Sequence, residues 1–120
     1  MIVRFEPLTA SHILAYYGEE QAYPIRGYAV LQDDKVAGVF GIYQDQGLDI
    51  VFCNVREDLW AKRNTRWGRR VMISGMRLVA RMKNEEDPLY VYADDDAPNA
   101  EEWLEHFGFE RLKGRAYIWH

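Results

Sequence analysis

The segment from residue 48 to residue 84 constrains the fold most, because a strand pattern passes there through a basic segment into a helix pattern. Leu48-Asp49-Ile50-Val51-Phe52-Cys53-Asn54-Val55 is rich in β-branched and aromatic side chains, which suits a mostly buried strand. From Arg70 onward, Arg70, Ser74, Arg77 and Arg81 fall four, three and four apart, while Val71, Met72, Met76, Val79 and Met82 fill the other faces. That spacing predicts an amphipathic helix. Between the two patterns, residues 61–70 carry Lys62, Arg63, Arg66, Arg69 and Arg70. A helix start has unpaired N–H groups and the positive end of the dipole, so cations there are destabilising unless something negative sits nearby. A bound phosphate resolves that conflict; a solvated loop is the alternative.

Composition limits what the segment can belong to. A chain of 120 residues has room for one domain, expected to span residues 1–120. Hydrophobic residues at 48% and aromatic ones at 14% promise a filled core. The formal charge of −4 turns the whole surface away from nucleic acid and anionic membrane, leaving residues 62–70 as the one local exception. A single cysteine, Cys53, excludes an internal disulfide and reads as an inert buried thiol in mid-strand. Isolated histidines without spaced partners argue against a metal site. No run approaches the ~20 apolar residues of a membrane span and no signal pattern opens the chain, so a cytoplasmic protein is expected.

In chain order, residues 2–5 alternate like a strand that Pro7 ends, and Thr9 or Ser11 caps a helix with Ile13, Leu14 and Tyr17 on its apolar side and Gly18 at its stop. Residues 19–27 read as loop. Residues 28–31, 35–43 and 48–55, separated by Asp33-Asp34 and Asp45-Gln46-Gly47, make a three-stranded antiparallel meander. Residues 89–93 read as a strand reached by a helical crossover, hence parallel to 48–55. Residues 94–98 read as a further loop. Asn99 with Glu102 resembles a capping box for a short helix that buries Trp103, Leu104 and Phe107 and stops at Gly108. A hairpin through Lys113-Gly114 closes the chain.

This order of elements, with a phosphate-loop candidate before the central helix and Asn99-Ala100 to Gly108-Phe109 near the end, resembles the GNAT superfamily of acyl-CoA-dependent N-acyltransferases over most of residues 26–119. The resemblance implies an α+β or α/β fold: a mixed sheet of six or seven strands, an antiparallel meander plus one parallel βαβ crossover, with helices on both faces. Arg63-Asn64-Thr65-Arg66-Trp67-Gly68 keeps the family's loop spacing but places Arg66 at its first glycine. The implied cofactor is acetyl-CoA, held by Cys53, Val55, Arg63, Arg66, Gly68, Arg69, Arg70 and Asn99. Its pantetheine arm would pair between the two parallel strands, with the thioester near Asp49 and Tyr92. Asp49 stands where the histone-acetylating branch has a glutamate base, and implies the same role one methylene shorter. Where many members carry a tyrosine acid, this chain has Leu104 beside Trp103.

A narrower resemblance is to small podovirus internal virion proteins of GNAT-like pattern, which also lack the loop glycines. It implies a phage origin, virion association and a catalytically inactive structural or assembly role as the alternative to acetyl transfer. Expected partners are a small-molecule or protein amine acceptor entering across residues 19–27, and a second copy or a virion protein. A membrane is excluded and nucleic acid disfavoured.

Overall fold

The computed structural model describes residues 3–20, 25–84, 86–94 and 97–120. Ile2, part of the expected 19–27 loop and Asp95-Asp96 of the 94–98 loop lie outside them. Among the described residues there are seven strands and four helices. They run β1 (Val3–Pro7), α1 (Ala10–Tyr17), β2 (Ile25–Gln32), β3 (Lys35–Asp45), β4 (Leu48–Val55), α2 (Glu57–Trp60), α3 (Arg66–Met82), β5 (Leu89–Tyr92), α4 (Ala100–His106), β6 (Glu110–Lys113) and β7 (Ala116–Trp119). The strands form one sheet in the order β1-β2-β3-β4-β5-β7-β6. Only β4 and β5 are parallel; every other neighbouring pair is antiparallel.

Turn chemistry fixes the meander. Asp33 and Asp34 both have positive φ, as do Gln46 and Gly47, the backbone pattern of two-residue hairpin turns whose twist matches that of the strands they join. The strands reach further than alternation indicates: β2 begins at Ile25, inside the expected loop, because Ile25, Arg26 and Gly27 complete the register with Tyr43, Ile42 and Gly41. At that step glycine faces glycine. A Cβ on Gly27 would stand 2.1 Å from the Phe40 carbonyl oxygen, so the close approach of β2 and β3 requires the bare backbone.

Two buried layers flank the sheet. Val30, Phe40, Ile42, Leu89, Val91 and Tyr117 join Val79 of α3, Leu59 of α2 and Phe109 in one cluster, with Leu104 and Phe107 from the α4 region packed against it. On the opposite face by strand alternation, Ala29, Val39, Ile50 and Ile118 are buried, and Ile13 of α1 is buried too. In α1, Thr9 accepts from the His12 N–H and Gly18 closes the helix at φ 78°. Leu14 does not join the apolar side; it is exposed, and Tyr16 and Tyr17 cover that stretch instead. The Asn54 amide donates to the Tyr17 hydroxyl at 2.7 Å, tying α1 to the far half of β4.

Helix α3 begins at Arg66, four residues before its apolar rhythm indicates, because the Thr65 hydroxyl accepts from the Gly68 N–H at 3.0 Å and caps it there. Its inward residues are Gly68, Gly75 and Val79. A Cβ on Gly75 would rest 3.6 Å from the Phe40 ring, an ordinary contact. Replacing Gly75 by alanine is therefore expected to stabilise the protein by about 0.5–1 kcal/mol through helix propensity. Urea denaturation checks this, and a lower midpoint would show that the helix cannot accept the methyl.

Candidate functional site

The parallel pair is joined for two steps only. Asp49 pairs with Leu89 and Ile50 with Tyr90, and no further pairing of β4 with β5 follows. On its other side β4 stays in register with β3 through Val55 opposite Gly38. Residues 51–55 therefore run along β3 while their β5 side diverges, leaving a wedge at the carboxyl ends of two parallel strands, where open sheets with parallel strands place ligands. An extended chain bearing amides can pair with such an edge.

Asp49 lies at the closed end of the wedge. It is only 6% exposed. The Gln44 side-chain amide donates to its Oδ1 at 3.1 Å, and the half-exposed Arg26 guanidinium stands 3.9 Å from its Oδ2. The carboxylate is thus positioned from β3 and, one strand further, from β2, and neither partner was legible in the sequence, because both depend on cross-strand register. Tyr92, expected beside Asp49, falls on the other face: Leu89 shares the face of Asp49, and Tyr92 alternates away with Tyr90. It is 68% exposed.

Cys53 corrects the expectation of an inert buried thiol, for it is exposed. The protein packed around it nevertheless raises its thiol pKa to about 11 by desolvation. Solvent therefore reaches the side chain even though neighbouring protein desolvates it. The reason is the wedge itself, since β5 does not cover this part of β4. Val55, two residues on, is half-buried against the core cluster.

The basic segment divides into two groups. Arg63 is half-buried; its Nη2 donates to Asn99 Oδ1 at 2.5 Å, its Nη1 to the Trp60 carbonyl at 3.1 Å, and its guanidinium lies 5.2 Å from the centre of the Trp60 ring. This overturns the capping role of Asn99: its side chain makes no cap bond, its backbone is left-handed, and the arginine holds the amide oxygen. The sequence thus names Arg63 and Asn99 as site residues, and the structure joins them to each other across the α2–α3 and β5–α4 connections. Trp60 Nε1 and Arg63 Nε are both buried and lack a hydrogen-bond acceptor among the described residues. The short helix α2 supplies Trp60, and one turn is too short to show periodicity; Glu57 and Asp58 in its first turn are the only signal.

Arg66, Arg69 and Arg70 form the second group, exposed on the first turns of α3. Arg66 occupies ordinary helical backbone, so nothing at that position demands a glycine. The demand falls on Gly68. It is buried, and a Cβ there would stand 1.8 Å from the Lys62 carbonyl oxygen. That oxygen also accepts from Thr65 Oγ1 at 2.6 Å, closing the loop from Lys62 to Gly68 into a tight cap. Among the described residues no acceptor meets the N–H groups of Arg66 and Trp67, the first two of α3. A helix start, two open amides and three cations in two turns make an anion-binding arrangement. At the position of the expected acid, Leu104 packs on the core and Trp103 lies against His106 and Phe107.

No family model matches the chain, and no curated protein does. Solved structures do. An acetyltransferase of the GNAT family from Staphylococcus aureus Mu50 superposes with a TM-score of 0.59 at 11% identity, over 98% of this chain and 98% of that one. The ribosomal-protein-S18-alanine N-acetyltransferase from Escherichia coli gives 0.58 at 14% identity, over 98% and 91%. AtaTR bound with AcCoA gives 0.56 at 15%, over 98% and 92%.

Proposed function

From a chain that has the GNAT-superfamily fold, we propose an N-acetyltransferase that takes acetyl-CoA into the β4–β5 wedge and passes the acetyl group to an amine. The observation that carries this reading is the parting of β4 from β5 after Ile50 and Tyr90. The pantetheine amides would pair with the free side of β4 beside Cys53 and Val55. The diphosphate would meet the open amides of α3 and the charges of Arg66, Arg69 and Arg70. Arg63 and Asn99 would hold the loop in place.

Asp49 then serves as general base. The acceptor nitrogen attacks the thioester carbonyl, its proton passes to an Asp49 oxygen, and the carbon–sulfur bond breaks to release the coenzyme thiolate, which is protonated from water. Gln44 and Arg26 act as positioning residues for that carboxylate. A second reading, a GNAT-shaped structural or assembly protein without turnover, is favoured by one observation: Leu104 and Trp103 are packing residues where an acid is expected.

The single cysteine gives a direct test of occupancy. With a pKa of about 11, Cys53 should react with iodoacetamide about tenfold faster for each pH unit between 8 and 10, as the thiolate fraction grows. Saturating acetyl-CoA is expected to slow that reaction at least about tenfold by covering Cys53. Equal rates with and without millimolar acetyl-CoA would place the coenzyme elsewhere or nowhere.

A further inference from the structure

Helix α3 carries more positive charge than the proposed acetyl transfer uses, since that reading takes Arg66, Arg69 and Arg70 and leaves Arg77 and Arg81. Its seventeen residues include Arg66, Arg69, Arg70, Arg77 and Arg81 and no acidic residue, a local charge of +5 in a chain of −4, so the remainder carries −4 − 5 = −9. All five arginines are exposed. No described residue forms an ion pair with any of them. At 100° per residue Arg66, Arg70, Ser74, Arg77 and Arg81 fall within one sector of the helix, opposite the buried Gly68, Gly75 and Val79. The row is about 22 Å long at the 1.5 Å rise of an α-helix, and Arg77 and Arg81 lie two to three turns beyond the loop assigned to the diphosphate. The acidic balance of the whole chain therefore does not describe this face.

We infer that the exposed face of α3 docks on the phosphate backbone of double-stranded RNA. A line of arginines along one helix face matches a polymer that repeats its charge, and guanidinium forks suit phosphate oxygens. Between the arginines the outward sector offers Ser74, a further phosphate donor, and no exposed aromatic on which an unpaired base could stack. That composition favours a duplex over a single strand. The buried Gly68, Gly75 and Val79 lie on the inward side of α3, and the row of cations on its outward side fits the shallow side of an A-form duplex, recognised by backbone and shape.

The test is fluorescence anisotropy of a labelled 20-base-pair RNA duplex titrated with the full chain between 50 and 200 mM salt. The four arginines of the row predict an affinity loss of about 150-fold over that range, and the double variant Arg77→Gln/Arg81→Gln, with two left, about 12-fold. Both substitutions are exposed, circular dichroism verifies the fold, and acetyl-CoA binding should be unchanged in the variant, so failure here is distinguishable from failure of the acetyl-transfer reading. No binding at 50 mM salt, equal or tighter binding of a DNA duplex of the same length, an unaltered salt dependence in the variant, or displacement by polyglutamate at matched charge would each overturn the assignment, the last pointing to an acidic protein partner.

Discussion

Changing Asp49 to asparagine is expected to lower acetyl transfer at least about 100-fold while leaving acetyl-CoA affinity and stability close to their original values. The side chain sits at the closed end of the wedge, 3.1 Å from the Gln44 amide, and asparagine keeps its size and can still accept from that amide through its oxygen. What it loses is the capacity to take the proton of an attacking amine. The Arg26 guanidinium, 3.9 Å away, would lose a partner, but it is half-exposed and water can replace that weak contact. Release of coenzyme thiol from acetyl-CoA, followed over a panel of polyamines, lysine and peptides with free amino termini, provides the readout. Rates within a factor of two of the parent would remove Asp49 from the chemistry.

The second large effect is structural and lies at Gly68. A methyl group there would stand 1.8 Å from the Lys62 carbonyl oxygen, which is backbone and cannot swing aside. The loop would have to open, breaking the Thr65 contacts with Lys62 and Gly68 that cap α3. Overpacking of this kind and the lost cap together predict a destabilisation of about 3 kcal/mol for Gly68→Ala, a fall in melting temperature of ~10–20 °C. The variant should also bind acetyl-CoA more weakly, since the open amides of α3 would move with the loop. Calorimetric melting beside Gly75→Ala makes the contrast sharp, because one glycine meets backbone and the other only the edge of ordinary contact with Phe40. A melting temperature within 3 °C of the parent for Gly68→Ala would mean that the loop is not held as described.

Much of this architecture could be read from local patterns. The meander, the crossover that makes β4 and β5 parallel and the closing hairpin follow from alternation and turn residues, because those signals act over a few positions. The same signals were silent where a contact joins distant residues. Asn99 has the sequence context of a helix cap, yet its oxygen is taken by Arg63, thirty-six positions earlier in the chain. Cys53 has the flanks of a buried strand residue, yet it is exposed because β5 stops short of it, a property of the partner strand. Arg66 breaks the glycine pattern of the resembling loop without strain, since α3 starts early enough to make that position helical. Gln44 and Arg26 became visible only through the register that sets them beside Asp49.

The parted strands and the capped start of α3 are together expected to accommodate one acyl-coenzyme molecule. Isothermal titration of the full chain with acetyl-CoA tests it most directly. One site with a dissociation constant on the order of 1–100 µM is the predicted result, in the range where enzymes of this size of substrate commonly work. No heat at millimolar acetyl-CoA, over two temperatures so that a vanishing enthalpy does not hide binding, would contradict it.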